Sequence, residues 1–157
     1  MVEPSKDLQL VFDKAIKDAQ KLKHEYVTVE HLLFAMMCES KFDKLLQGYG
    51  ADVDYVKGNL RHFLKANTDL VVDIDKFKPK KTQTVERILN RAFTQVLFSG
   101  RNSIQLQDVL SSILTEKKTQ ACYFLNKGGI DKDSFNEYVS NEVEEEVEDS
   151  EEADHEK

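Results

Sequence analysis

The chain has 157 residues, 40% hydrophobic and 32% charged, with a formal net charge of −7. That length suits one domain with a sizeable core. No apolar run approaches the roughly 20 residues of a membrane span, and MVEPSKDLQL at the start lacks the hydrophobic stretch of a signal peptide, so a soluble, cytoplasmic protein is expected.

The charge is unevenly placed. Residues 142–157 hold ten Asp or Glu against one Lys, a net of −9, which leaves the remaining body at +2. A near-neutral body with an acidic end is no phosphate-binding surface, so nucleic acid is not expected as a partner. With Val143, Val147 and Ala153 as its only apolar residues, the stretch 142–157 reads as a disordered acidic tail or linker.

In the first half, Leu8, Val11, Phe12, Ala15, Ile16, Ala19 and Leu22 follow the spacing of one helix face. A polar corner, Lys23-His24-Glu25-Tyr26, follows. Thr28 is placed as the N-cap of a second helix that turns Val29, Leu32, Leu33, Met36 and Met37 inward. Phe42, Leu45 and Leu46 make a short third helix, stopped by Gly48 or Gly50 in the left-handed conformation. Asp52 caps a fourth, with Val53, Val56, Leu60, Phe63 and Leu64 on its buried side.

Residues 67–81 (NTDLVVDIDKFKPKK) read as an extended connector rather than a sheet strand, since nothing else in the chain offers a partner. Leu70, Val71 and Ile74 are expected to anchor it. Thr82 or Thr84 then opens a helix bearing Val85, Ile88, Leu89, Ala92, Phe93, Val96 and Leu97. Ser99-Gly100-Arg101-Asn102 makes the next corner. Leu106, Val109, Leu110, Ile113 and Leu114 mark another helix, Ala121 to Leu125 a shorter one ended by Gly128-Gly129, and Phe135, Tyr138 and Val139 the last.

The two halves are copies. Ala15 to Leu33 aligns without a gap on Ala92 to Leu110, an offset of 77, and Gly50-Ala-Asp-Val-Asp falls on Gly129-Ile-Asp-Lys-Asp at an offset of 79. A unit this short cannot bury its apolar face alone. The expected fold is therefore all-α: a pseudo-twofold tandem repeat of two four-helix units, about eight helices in one domain over residues 1–141, with no sheet. Repeat one spans about 6–65, the connector 66–81 and repeat two 82–141.

Little in the chain points to catalysis. No Gly precedes a Lys, so the Walker loop that cradles phosphates is absent, and G-x-G-x-x-G is missing too. His24 and His31 lie seven apart across a helix start, His62 stands elsewhere, and there is no Cys-x-x-Cys, so no metal or other cofactor is expected and the histidines default to surface or corner packing. Cys38 and Cys122 read as small buried hydrophobes; a cysteine hydrolase would need one of them exposed beside a histidine. Short helices joined by polar corners suit a binding protein, not an enzyme.

The segment Lys23 to Leu33, KHEYVTVEHLL, followed by Ser99-Gly100-Arg101-Asn102, resembles the N-terminal domain of Clp-type ATPase unfoldases. The stretches Glu86 to Ala92 and Gln120 to Leu125 are similar to the ClpA branch. The resemblance covers about residues 6–141 and implies the double Clp-N repeat fold. It implies a docking module that binds a small ClpS-type adaptor and protein substrates, and serves the ClpP protease indirectly through an ATPase ring. It places the adaptor surface on Glu25, Glu30, Thr82 and Arg87. Each has a structural role available as well: Glu30 beside a helix dipole, Thr82 as an N-cap, Arg87 paired with a neighbouring acid. The ATPase modules of such unfoldases are not in this sequence. An excised domain and a stand-alone accessory or competitor of the Clp protease both fit.

Overall fold

A computed structural model describes residues 1–73 and 76–142; the expected anchor Ile74 and the acidic stretch beyond residue 142 lie outside them. Seven helices run α1 (Lys6–Lys21), α2 (Val29–Met37), α3 (Ser40–Tyr49), α4 (Val53–Ala66), α5 (Gln83–Phe98), α6 (Leu106–Ile113) and α7 (Gln120–Lys127). An eighth, α8, begins at residue 132 and is described to 142. The predicted caps are in place: Thr28 accepts from His31 N, Asp52 from Tyr55 N, and Thr82, rather than Thr84, from Val85 N. Gly50, rather than Gly48, ends α3 in the left-handed region at φ 103°.

Every inward position proposed for α2 is buried, and one continuous core joins both halves. Within each half the first two helices pack together, α1 on α2 and α5 on α6. The closing contacts are exchanged between halves. α4 packs on α7, where Gly128 lets the chains approach so closely that a Cβ would collide with Val56 Cγ2, and Gly128 O accepts from Asp52 N at 2.9 Å. At the equivalent place α3 meets α8, with the Tyr49 ring edge-on to Phe135 and to Tyr138.

The repeat extends into the corners. Lys23 and Gly100, 77 apart, are both left-handed, at φ 58° and 73°. Leu22 N donates to Asp18 O just as Ser99 N donates to Gln95 O. Asp131 accepts from Ser134 N as Asp52 does from Tyr55 N, now 79 apart.

Two expectations are corrected. The connector does find partners: β3 (Lys80–Lys81) pairs in parallel with β2 (Tyr26–Val27), and Val71 bridges to His24. Its counterpart β1 (Glu3–Pro4) pairs with β4 (Ser103–Ile104). Each is a two-residue pair in which the lead-in to one repeat's first helix hydrogen-bonds the corner of the other repeat. Strand periodicity over two residues is invisible in a sequence, so the expectation of no sheet failed there while the all-α class held. Second, Val71 is 49% exposed and does not anchor the connector; Phe93 and Leu97, expected on the buried stripe of α5, are 41% and 54% exposed. On α1 the equivalent face is covered by the connector, whose Phe77 O accepts from Gln20 Nε2 and whose Lys81 ammonium lies 5.1 Å from the Phe12 ring centre. No described segment covers α5 in the same way.

The left-handed Lys23 carries strain that Gly100 does not. Lys23→Gly should raise the unfolding free energy by about 0.5–1 kcal/mol, the relief of left-handed strain less the added entropy of the unfolded chain. Gly100→Lys should lower it by a similar amount. Urea unfolding midpoints of the two variants check this; shifts of the same sign would refute the structural equivalence of the two corners.

Candidate functional site

The corner between α1 and α2 is built on a chain of ring hydrogen bonds whose direction its two ends dictate. Thr28 N–H can only donate, and it meets His31 Nδ1 at 2.9 Å. Asn67 O can only accept, and His24 Nε2 lies 3.1 Å from it. Between them His31 Nε2 and His24 Nδ1 are 2.8 Å apart. The one consistent arrangement is two neutral rings, each protonated on Nε2, passing donors from Thr28 to the connector. Both rings are buried. Burial lowers both pKa values, that of His31 to about 4, with His24 adding to the effect on His31. In the second repeat the same two positions hold Arg101 and Asp108, joined at 2.6 Å, and Asp108 accepts from Gln105 N as His31 does from Thr28 N. The corner-packing role expected of these histidines is what the structure shows for His24 and His31; His62 is exposed.

Glu30 lies one residue before His31 and points inward. It is 9% exposed, and its Oε2 accepts from Ala121 N at 3.1 Å. Burial raises its pKa, opposed by the hydrogen bonds from the Ala121 and Glu30 backbone amides. A carboxylate from the first repeat thus serves the N-terminus of α7 in the second, beside Thr119, which accepts from Cys122 N. Of the roles open to Glu30 in the sequence, the helix-terminus one is realised, and it reaches across the two repeats as well as serving α2.

The other three predicted residues lie on the corner after α1 and on α5. Glu25 is exposed; its carbonyl accepts from Lys80 N at 3.0 Å, and two residues on Val27 O accepts from Thr82 N at 3.2 Å. The parallel strand pair therefore sets Val27 beside Thr82, the N-cap of α5, and Glu25 beside Lys80, two residues earlier. Arg87, further along α5, makes a bidentate pair with Glu116, Nε to Oε1 at 2.7 Å and Nη2 to Oε2 at 2.8 Å. Arg91 adds a third contact to Glu116 at 3.0 Å. The Arg87 hydrogen bond, with Arg91 behind it, holds the Glu116 carboxyl down to about 2. Arg87 is still 55% exposed at its side chain, so its outer edge remains available. Thr84, Arg87, Glu116, Lys117, Lys118 and Thr119 line a shallow cavity of about 520 Å³. Sequence reasoning left Glu116 unassigned. The signal for it was the pair Arg87 and Arg91, one turn apart, with no acid three or four residues from either on the helix.

Neither cysteine has the surroundings of a nucleophile. The buried Cys122 Sγ is 3.6 Å from Leu114 O and from Asn126 Nδ2. Burial pushes its thiol pKa up, away from the thiolate that reaction needs. Cys38 is half-buried at the end of α2. Among the described residues no three of His, Cys, Asp and Glu converge as metal ligands, and no helix is long and apolar enough to cross a membrane.

This fold and this corner are those of a helical repeat domain, and residues 3–128 match the model of the Clp repeat (R) N-terminal domain. The chain belongs to that family. It is 28% identical over 124 residues to the ClpA homolog protein of Fuscovulum blasticum, aligning 78% of this chain with 16% of that one, so it spans about one-sixth of that relative's length. Among solved structures it superposes on the Hsp104 N-terminal domain from Candida albicans with a TM-score of 0.74 at 10% identity, covering 87% of this chain and 88% of the other. It superposes on a ClpV N-domain in complex with a VipB peptide with a TM-score of 0.67 at 15% identity, covering 87% and 84%. At those identities the structural likeness is one of fold.

Two outcomes test this reading of the corner and of Glu30. The unfolded chain binds protons on its histidines below about pH 6.5, while burial keeps the folded pair neutral below that point, His31 down to about 4, so stability is complete above that range and falls as pH drops through it. The His31 shift alone corresponds to about 3 kcal/mol. Glu30, its folded pKa raised, contributes with the opposite slope just above the ordinary carboxylate range. Urea unfolding from pH 7 to pH 4 should therefore show a shallower loss for His31→Gln than for wild type; equal slopes would refute the neutral pair. Separately, Glu30→Ala should cost about 1–3 kcal/mol because Ala121 N–H loses its buried acceptor, whereas Glu30→Gln, which keeps an acceptor oxygen, should cost less. Equal losses in the same unfolding assay would remove the capping role.

Proposed function

We propose that this chain is a protein-docking module of a Clp chaperone-protease system, without turnover of its own, whose partner is a ClpS-type adaptor carrying protein substrates. The observation that carries the proposal is the half-exposed Arg87 on α5, whose side chain is fixed by a bidentate acid, Glu116, before any partner arrives. A pre-oriented, half-exposed arginine is what an interface anchor requires, since little side-chain freedom is lost on binding. The exposed Glu25 and the N-cap Thr82 lie on the strand pair and helix start that lead into the same helix. Membership in the Clp repeat family supports the reading, and so does the ClpV N-domain solved with a peptide from VipB. Glu30 enters indirectly: it sets the position of α7 and the loop that holds Glu116, and through them Arg87. Activity on nucleotides would belong to an ATPase ring outside this sequence, and through that ring the ClpP protease would receive what the module delivers.

A ClpS-type adaptor is the direct probe. By isothermal calorimetry, Arg87→Ala should weaken binding by about thirtyfold or more, the scale of an arginine anchor at an interface. Glu25→Lys should weaken it further than Glu25→Gln, since reversal adds repulsion to lost attraction. Glu116→Gln should give an intermediate loss by loosening Arg87. Unchanged affinity in folded Arg87→Ala and Glu25→Lys would move the interface elsewhere. No binding by wild type would favour the accessory-subunit alternative, which a direct association with the protease would then test.

A further inference from the structure

The groove between α1, α2 and α4 carries a cationic rim, whereas the charges of its sister groove, Arg101 and Asp108, are paired with each other. On its floor lies Phe34, half-buried, with the Lys14 ammonium 5.4 Å and the Arg61 guanidinium 5.5 Å from its ring centre. Leu22 and Leu64 complete a mostly apolar slot of about 190 Å³, and Lys21, Arg61 and Lys65 stand exposed at its rim. The rim acid, Asp18, is bound to Lys14 at 2.8 Å. Lys21, Arg61 and Lys65 make no salt bridge among the described residues. Lys57, Arg61 and Lys65 fall on successive turns of α4, so the positive rim is continuous along the helix.

The second repeat shows what the groove is like without these residues. There Ser111 stands where Phe34 does, Phe98 where Lys21 does, and Ser140 where Arg61 does, around a wider polar cavity of about 730 Å³. A scaffold role common to both grooves would not require a cationic rim in only one. An apolar slot edged by three cations that have no salt-bridge partner among the described residues is complementary to a ligand that is apolar at its centre and anionic around it.

We propose that this groove binds an acidic peptide segment of a partner protein that presents one apolar side chain between carboxylates. The apolar side chain enters against Phe34 and Leu64, and the flanking carboxylates meet Lys21, Arg61 and Lys65. None of Glu25, Glu30, Thr82 and Arg87 lines the slot, so this inference goes beyond the adaptor reading and stands or falls without it. The chain's own acidic residues beyond 142 have related chemistry and are the competing occupant.

The test uses the full chain and a short fluorescent peptide of Glu and Asp around one Leu, read by anisotropy, with no adaptor present. Saturable binding is expected. It should weaken about tenfold or more in Arg61→Glu/Lys65→Glu, on replacing the peptide's Leu with Gly, and on raising salt from about 0.05 to 0.5 M. Both substituted residues are exposed, and circular dichroism confirms the fold of the variant. Phe34→Ala, checked the same way, should lose binding without changing the salt dependence of what remains. Absence of binding, or binding indifferent to the charge reversal or to the peptide's Leu, would overturn the proposal. So would a chain that binds the peptide only after Glu144, Glu145, Glu146 and Glu148 are changed to Gln, which would make its own tail the occupant.

Discussion

The packing of each repeat's third helix against the other repeat's fourth is the contact on which the rest of the molecule depends. Four short helices cannot enclose a core of their own, because each exposes on its inner side the stripe that the next layer must cover. Here α7 closes over α4, and α8 over α3, so the interface between the repeats is also the core of the domain. The two closures use different chemistry at equivalent positions. Gly128 gives a close backbone approach to Val56, whereas Tyr49 sets its ring edge-on to Phe135. The crossed strand pairs belong to the same exchange. Each repeat's first helix is launched from a backbone that is hydrogen-bonded to the corner of the other, which fixes where residues such as Thr82 begin.

The helices, their order and most of their caps were readable because burial on one face of a helix imposes a period that composition cannot hide. Duplication strengthened the reading: two copies agreeing at the same offset make a chance stripe improbable. The approach failed where covering was done by something other than a helix. Phe93 and Leu97 follow the same period as Ile16 and the other buried positions, and only the connector, which lies on α1 and has no described counterpart on α5, separates the two faces. Periodicity reports that a face is apolar. It does not report whether anything is there to cover it.

The candidate site was legible by resemblance and only partly by chemistry. A strand pair of two residues brings the corner that carries Glu25 to the lead-in of the helix that carries Thr82 and Arg87, and nothing in their spacing along the chain says so. Glu30 illustrates the opposite limit. Its place in the first turn of α2 suggested its own helix dipole, and burial also turned it to a helix start ninety-one residues away. A charged residue flanked by Val29 and His31, both buried, is itself a sign of an inward-facing carboxylate. The buried histidine pair was read as corner packing without its direction, because hydrogen-bond polarity comes from the two backbone groups at its ends and not from the rings.

Comparison of the two copies also separates what the scaffold needs from what it leaves free to vary. Capping geometry, left-handed corners and crossed strand pairs recur in both, so they are what the shared architecture needs. The corners differ in kind: neutral, buried rings in one copy, and an exposed arginine paired with a half-buried aspartate in the other. The grooves differ as well, cationic and narrow around Phe34, polar and wide around Ser111. Since the fold tolerates either version, neither difference is explained by stability of the shared architecture. Divergence between copies therefore marks surfaces released from the structural constraint. In a domain whose interior is already shared between the repeats, those surfaces are where partner recognition can be built without disturbing the core.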